Sequence, residues 1–149
     1  MVRSNRYALA AAAGLATVSA LHAAWATGSC WPAVDRRSLA DTVAGARDMP
    51  GPAACLAVSA ALAAAAAVTA GVGGEQPLAV TARAGVAVTL SARAATGLTG
   101  GTHLLVPWTP SARFVDLDRR LYGPCCGLLA ALVAAGLRER RLAPAAGPR

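Results

Sequence analysis

The chain has 149 residues, 56% of them hydrophobic and only 14% charged, with 14 arginines, no lysine and a formal net charge of +7. That length fits one domain. Soluble domains carry about 25% charged residues, so this composition excludes a disordered charged tail, and it lacks the cysteine density of a disulfide scaffold and the Gly-X-Y period of collagen. With 40 alanines, what remains is an all-α protein, either soluble or membrane-embedded.

The absence of charge separates those two readings. No Asp, Glu or Arg occurs over the 28 residues from Tyr7 to Val34, the 26 from Met49 to Gly74, or the 17 from Leu121 to Leu137. A surface helix needs a polar face, whereas a bilayer-spanning helix needs about 20 apolar residues, range 17–25. The runs fit the membrane requirement. They predict a four-transmembrane-helix antiparallel bundle with spans at about 7–28, 52–72, 78–98 and 117–137.

In chain order, the first span follows a basic Met1–Arg6 segment. Ala24-Trp25-Ala26 offers a signal-cleavage site, but the apolar stretch runs on past it through Trp31, which favours an uncleaved span. The loop from Ser29 to Gly51 contains Ser38-x-x-Asp41, the start of a short amphipathic helix lying on the membrane surface. Spans two and three meet through Gly73-Gly74-Glu75-Gln76-Pro77, a tight turn. The third loop, Thr99 to Asp116, holds Pro107 and Pro110 around Trp108 and reads as irregular and interfacial. Pro124 cannot open the last helix, because 14 residues to Leu137 cover only about 21 Å of a core about 30 Å thick. The helix is therefore expected to begin near Asp116–Asp118 and to kink at Pro124. Residues 138–149 are expected to form a basic, disordered tail.

Six arginines lie with the termini (Arg3, Arg6, Arg138, Arg140, Arg141, Arg149) and six on the opposite side, four in the two long loops and Arg119 and Arg120 at the mouth of the last span. The terminal ones abut the first and last spans, so both termini are placed in the cytoplasm of a multi-pass cell-membrane protein, and the short helix lies outside. Basic residues at span ends are topology signals, which argues against nucleic-acid binding.

Arg83 and Arg93 interrupt the third span, and an arginine at a helix centre costs about 2.5–3.5 kcal/mol on insertion scales. Arg83 is expected to snorkel to the interface near Glu75. Arg93 repeats with Gly85, Thr89 and Gly97 every four residues, a small-residue packing stripe, so it should point into the bundle and needs a partner. The antiparallel order brings His22, Arg93, Asp118 and Tyr122 to similar depth. These four form a candidate polar cluster, with Arg93 paired to Asp118 and with Tyr122 and His22 completing the hydrogen bonds. Cys30, Cys55, Cys125 and Cys126 read as free thiols, and without C-x-x-C spacing no metal site or other cofactor is expected.

His22-x-x-Trp25-x-x-Gly28, Arg93 and Phe114-x-x-Leu117-Asp118-Arg119-x-Leu121-Tyr122-x-Pro124-x-Cys126 carry a resemblance. The chain resembles the small four-span membrane proteins, common in actinobacteria, grouped as domain of unknown function 3995. The resemblance implies an integral membrane protein and carries over no catalytic residue. The expected function is a non-catalytic accessory or ligand-binding bundle whose partners are the lipid bilayer and a second copy or another membrane protein. A small dimeric transporter of an anionic or neutral solute is the alternative. Proton-coupled cation export needs an intramembrane carboxylate, and only Asp118, at a rim, approaches that. A thiol–quinone oxidoreductase ranks last, because Cys125 and Cys126 are adjacent.

Overall fold

The computed structural model describes residues 5–142. Its elements are α1 (Arg6–Ala26), α2 (Arg36–Ala44), α3 (Pro52–Ala70), α4 (Pro77–Thr99) and a 3-10 turn (Gly101–Leu104). Then α5 (Ala112–Leu117), a π turn (Asp118–Tyr122) and α6 (Gly123–Leu142) run on as one 31-residue helix. No strand occurs among the described residues.

Among the described residues, three helices are long and apolar enough to cross a membrane: Arg6–Ala26, Pro52–Ala70 and Ala112–Leu142. With 23 residues, α4 is also long enough, at roughly 35 Å, but it carries Arg83 and Arg93. Leu56, Val58, Val88, Leu121 and Leu128 are exposed around the bundle, an apolar surface suited to lipid rather than to water.

The helices pack as two pairs, α1 with α3 and α4 with α6, joined along α1 and α6. In the first pair, Ser19 Oγ donates to the Ser59 carbonyl at 2.8 Å, and Ser59 Oγ returns a bond to the Ser19 carbonyl at 2.9 Å. Where α1 meets α6, the helices approach closely at Gly136; a Cβ there would lie 3.2 Å from the Ala8 backbone nitrogen. The Asn5 side chain caps α1 by accepting from Ala8 N at 2.9 Å, and its amide donates to the Gly136 carbonyl at 2.7 Å.

Two expected boundaries move. The short loop helix begins at Arg36, not Ser38, because the extended Asp35 caps it, accepting the Ser38 N–H at 2.7 Å. Leu39 and Ala40 are buried, and Leu39 packs with Trp25 and Cys55, so α2 closes one end of the bundle. The last helix starts at Ala112, where Ser111 accepts from Phe114 N, and spans roughly 46 Å. Pro124 is accommodated by the preceding π turn, whose wider register sends Gly123 N–H to the Asp118 carbonyl. Arg138, Arg140 and Arg141, expected in a disordered tail, extend α6 instead. The rest of that tail, like Arg3, lies outside the described residues.

Candidate functional site: the buried ion pair

Arg93 lies on α4 one turn before Gly97, and Asp118 opens the π turn. Their contact is bidentate. Arg93 Nη2 donates to Asp118 Oδ1 at 2.7 Å, and Nη1 to Oδ2 at 3.1 Å. Asp118 is 0% exposed, while the Arg93 side chain keeps 29% of its surface open. A third group completes the carboxylate: the buried Thr102 hydroxyl, on the 3-10 turn after α4, donates to Asp118 Oδ2. Both carboxylate oxygens thus accept charge-assisted bonds, the arrangement that lets a buried acid persist away from water.

Two glycines make room for this contact. At Gly97 a Cβ would sit 2.8 Å from Asp118 Oδ1 and 3.0 Å from Arg93 Nη1. At Gly123 it would meet the backbone nitrogen of Leu98 at 3.1 Å. The close approach of α4 to the last helix therefore depends on missing side chains, as membrane packing generally does.

The structure brings together two of the four expected residues. Arg93 and Asp118 meet, but His22 and Tyr122 do not hydrogen-bond to them. His22 Nδ1 pairs with the Val18 carbonyl at 2.9 Å and its ring stands 4.8 Å from that of Trp25. A histidine in a helix has a carbonyl one turn back always within reach, and that local acceptor wins. The Tyr122 hydroxyl donates to the Thr42 carbonyl at the end of α2, at 3.0 Å. Thr102, not foreseen, takes the place assigned to them.

Arg83 is 2% exposed and so does not snorkel into solvent. It turns back onto the C-terminal end of α3 and the turn after it, where carbonyls have acceptor capacity to spare. Nε donates to Val68 O at 2.6 Å, and Nη2 donates to Gly74 O at 2.7 Å and Val72 O at 3.3 Å. Glu75 lies 3.8 Å from Nη1 and is held by Arg140 at 3.0 Å.

The four cysteines are free, with Cys55 buried in the apolar cluster under α2. Among the described residues, no group of three or more His, Cys, Asp or Glu is placed to hold a metal ion.

The family described as Protein of unknown function (DUF3995) matches residues 15–133. The chain belongs to this family. The match covers α2, α3, α4 and the whole Arg93–Asp118–Thr102 contact. No curated protein and no solved structure matches the chain.

Proposed function

We propose that the chain is a four-span protein of the cell membrane, with both termini cytoplasmic, acting as a non-catalytic accessory or ligand-binding bundle. One observation carries the reading: both arginines of α4 find partners inside the protein, although Arg83 Nη1 has only Glu75, 3.8 Å away. Arg93 is paired with Asp118, and Arg83 is spent on three carbonyls. A helix whose charges are already partnered can cross lipid although its composition alone argues against it. Orientation rests on Arg138, Arg140 and Arg141 at the end of the last span, together with Arg3 and Arg6 before the first.

The ion pair is closed on itself. Asp118 presents no open oxygen and Arg93 already grips a carboxylate, so the pair fastens helices and offers little to an anionic cargo. That supports the bundle over the dimeric transporter. Alkaline phosphatase fused after Arg47 should be active and after Arg149 inactive. Activity at both positions would mean three spans. Chloride or phosphate flux in liposomes that disappears in Arg93→Gln would favour the transporter.

A further inference from the structure

We propose that the depression between α2 and the start of α5 binds a phosphate-bearing group through Arg37, Arg47 and Arg113. It has a volume of about 750 Å³ and opens at the end of the bundle closed by α2. The three arginines come from three places: the first turn of α2, the loop that follows it and the first turn of α5. Ion pairs among the described residues involve Arg83, Arg93, Arg120 and Arg140, so the three lining arginines stand without a carboxylate partner. Asp41 and Asp48 also line the depression, and three arginines against two carboxylates leave one positive charge. The site therefore suits a ligand of low negative charge rather than a polyanion.

Hydroxyl-bearing residues line the same depression: Ser38, Thr109 and Ser111. Ser111 Oγ accepts the Phe114 N–H at 3.2 Å, which leaves its own proton free for a ligand. The walls are tied together. Trp108 Nε1 donates to the Ala44 carbonyl at 3.2 Å, and Ser111 N to the Gly45 carbonyl at 3.1 Å. Gly45 adopts φ +63°, and a Cβ there would sit 2.9 Å from Phe114 Cβ, so this seam cannot be re-cut with a larger residue. A cradle fixed before binding spares the ligand the cost of ordering it.

Three guanidiniums contributed by three separate segments suit a tetrahedral group with several oxygens. One fork already satisfies a planar carboxylate. Lipid headgroups and soluble phosphates share that chemistry. The inference rests on the ligand-binding reading above and names its ligand class.

The test uses the full chain, wild type and the variants Arg47→Gln, Arg113→Gln and Arg120→Gln. Arg120 is exposed on the same helix as Arg113 and removes an equal charge outside the depression. One arm counts phosphatidylglycerol retained by detergent-purified protein in native mass spectrometry. The other titrates inorganic phosphate and glycerol 3-phosphate by calorimetry in phosphatidylcholine nanodiscs. Arg47→Gln and Arg113→Gln should each weaken binding at least fivefold, and Arg120→Gln less than twofold. Response in the first arm alone identifies a headgroup, and response in the second a soluble phosphate. No binding in either arm by helical, membrane-inserted protein overturns the site, as does an equal loss in Arg120→Gln. Failure to insert would instead be seen in the phosphatase fusions and would count against the bundle.

Discussion

Arg83 and Arg93 sit ten residues apart on the same helix and are stabilised in different ways. Arg93 meets a carboxylate, keeps 29% of its side chain open and ties α4 to the last helix. Arg83 is 2% exposed and meets the carbonyls that end α3, tying α4 to its predecessor across a tight turn. The first contact joins two full charges. The second sets a cation against the negative end of a helix dipole, where each carbonyl carries only a partial charge. The difference decides what is left behind when the arginine is removed. At the Arg93 site a buried carboxylate is orphaned; at the Arg83 site the groups left are neutral carbonyls and an exposed Glu75 that Arg140 still holds.

The largest expected effect follows from that asymmetry. Arg93→Met strands Asp118, which is fully buried, and should cost about 3–5 kcal/mol, the range for breaking a buried pair from one side. Asp118→Ala should cost less, because Arg93 can still reach solvent with its exposed part. The double variant Arg93→Met/Asp118→Ala should be milder than the sum, since no orphan charge remains. Arg83→Met should fall below Arg93→Met, at roughly 1.5–3 kcal/mol, the range for hydrogen bonds to a charged group. Thermal unfolding in detergent ranks all four. Additivity of the Arg93 and Asp118 changes, or a larger loss at Arg83 than at Arg93, would break the comparison.

The same helix sharpens the comparison through its glycines. Gly85 and Gly97 fall on one four-residue stripe, yet only Gly97 lies beneath the ion pair. A Cβ at Gly85 has nothing within 4 Å, so Gly85→Ala should stabilise α4 by up to about 1 kcal/mol through helix propensity. Gly97→Ala must displace Asp118 or Arg93 and should lose about 1–3 kcal/mol, as overpacking does. Opposite signs in paired melting curves are expected. Destabilisation at both sites would mean that the Gly85 end of the stripe is covered by another surface.

How much of this was legible depends on where each partner sits. The Arg93–Asp118 pair could be read from complementary charges at matched depth in an antiparallel order. Charge-free runs located α1 and α3 to within two residues at each end. Arg83, His22 and Tyr122 all bond backbone carbonyls, of Val68, Val18 and Thr42 among others. Every residue owns a carbonyl, so no letter in the sequence marks which one is left open. Thr102 was hidden differently. It follows Gly100-Gly101 in a segment without periodicity, and only the 3-10 turn after the left-handed Gly100 swings it onto Asp118.

The smallest effect belongs to an exposed carboxylate at a helix start. Asp35 caps α2 from outside the bundle, and the Ser38 N–H it accepts holds its carboxyl below the ordinary carboxylate range. A depressed folded value means the contact is fully present above the ordinary carboxylate pKa and is lost as pH falls through the lower, folded value. Acidification through that window should fray the first turn of α2. Amide exchange at Ser38 and Leu39 should therefore accelerate relative to the spans as pH drops, after correction for intrinsic exchange. Asp35→Asn keeps an acceptor without a titrating proton and should flatten the profile. A fraying of α2 that persists unchanged in Asp35→Asn would place the sensitive group elsewhere, with Asp41 and Asp48 next to be replaced.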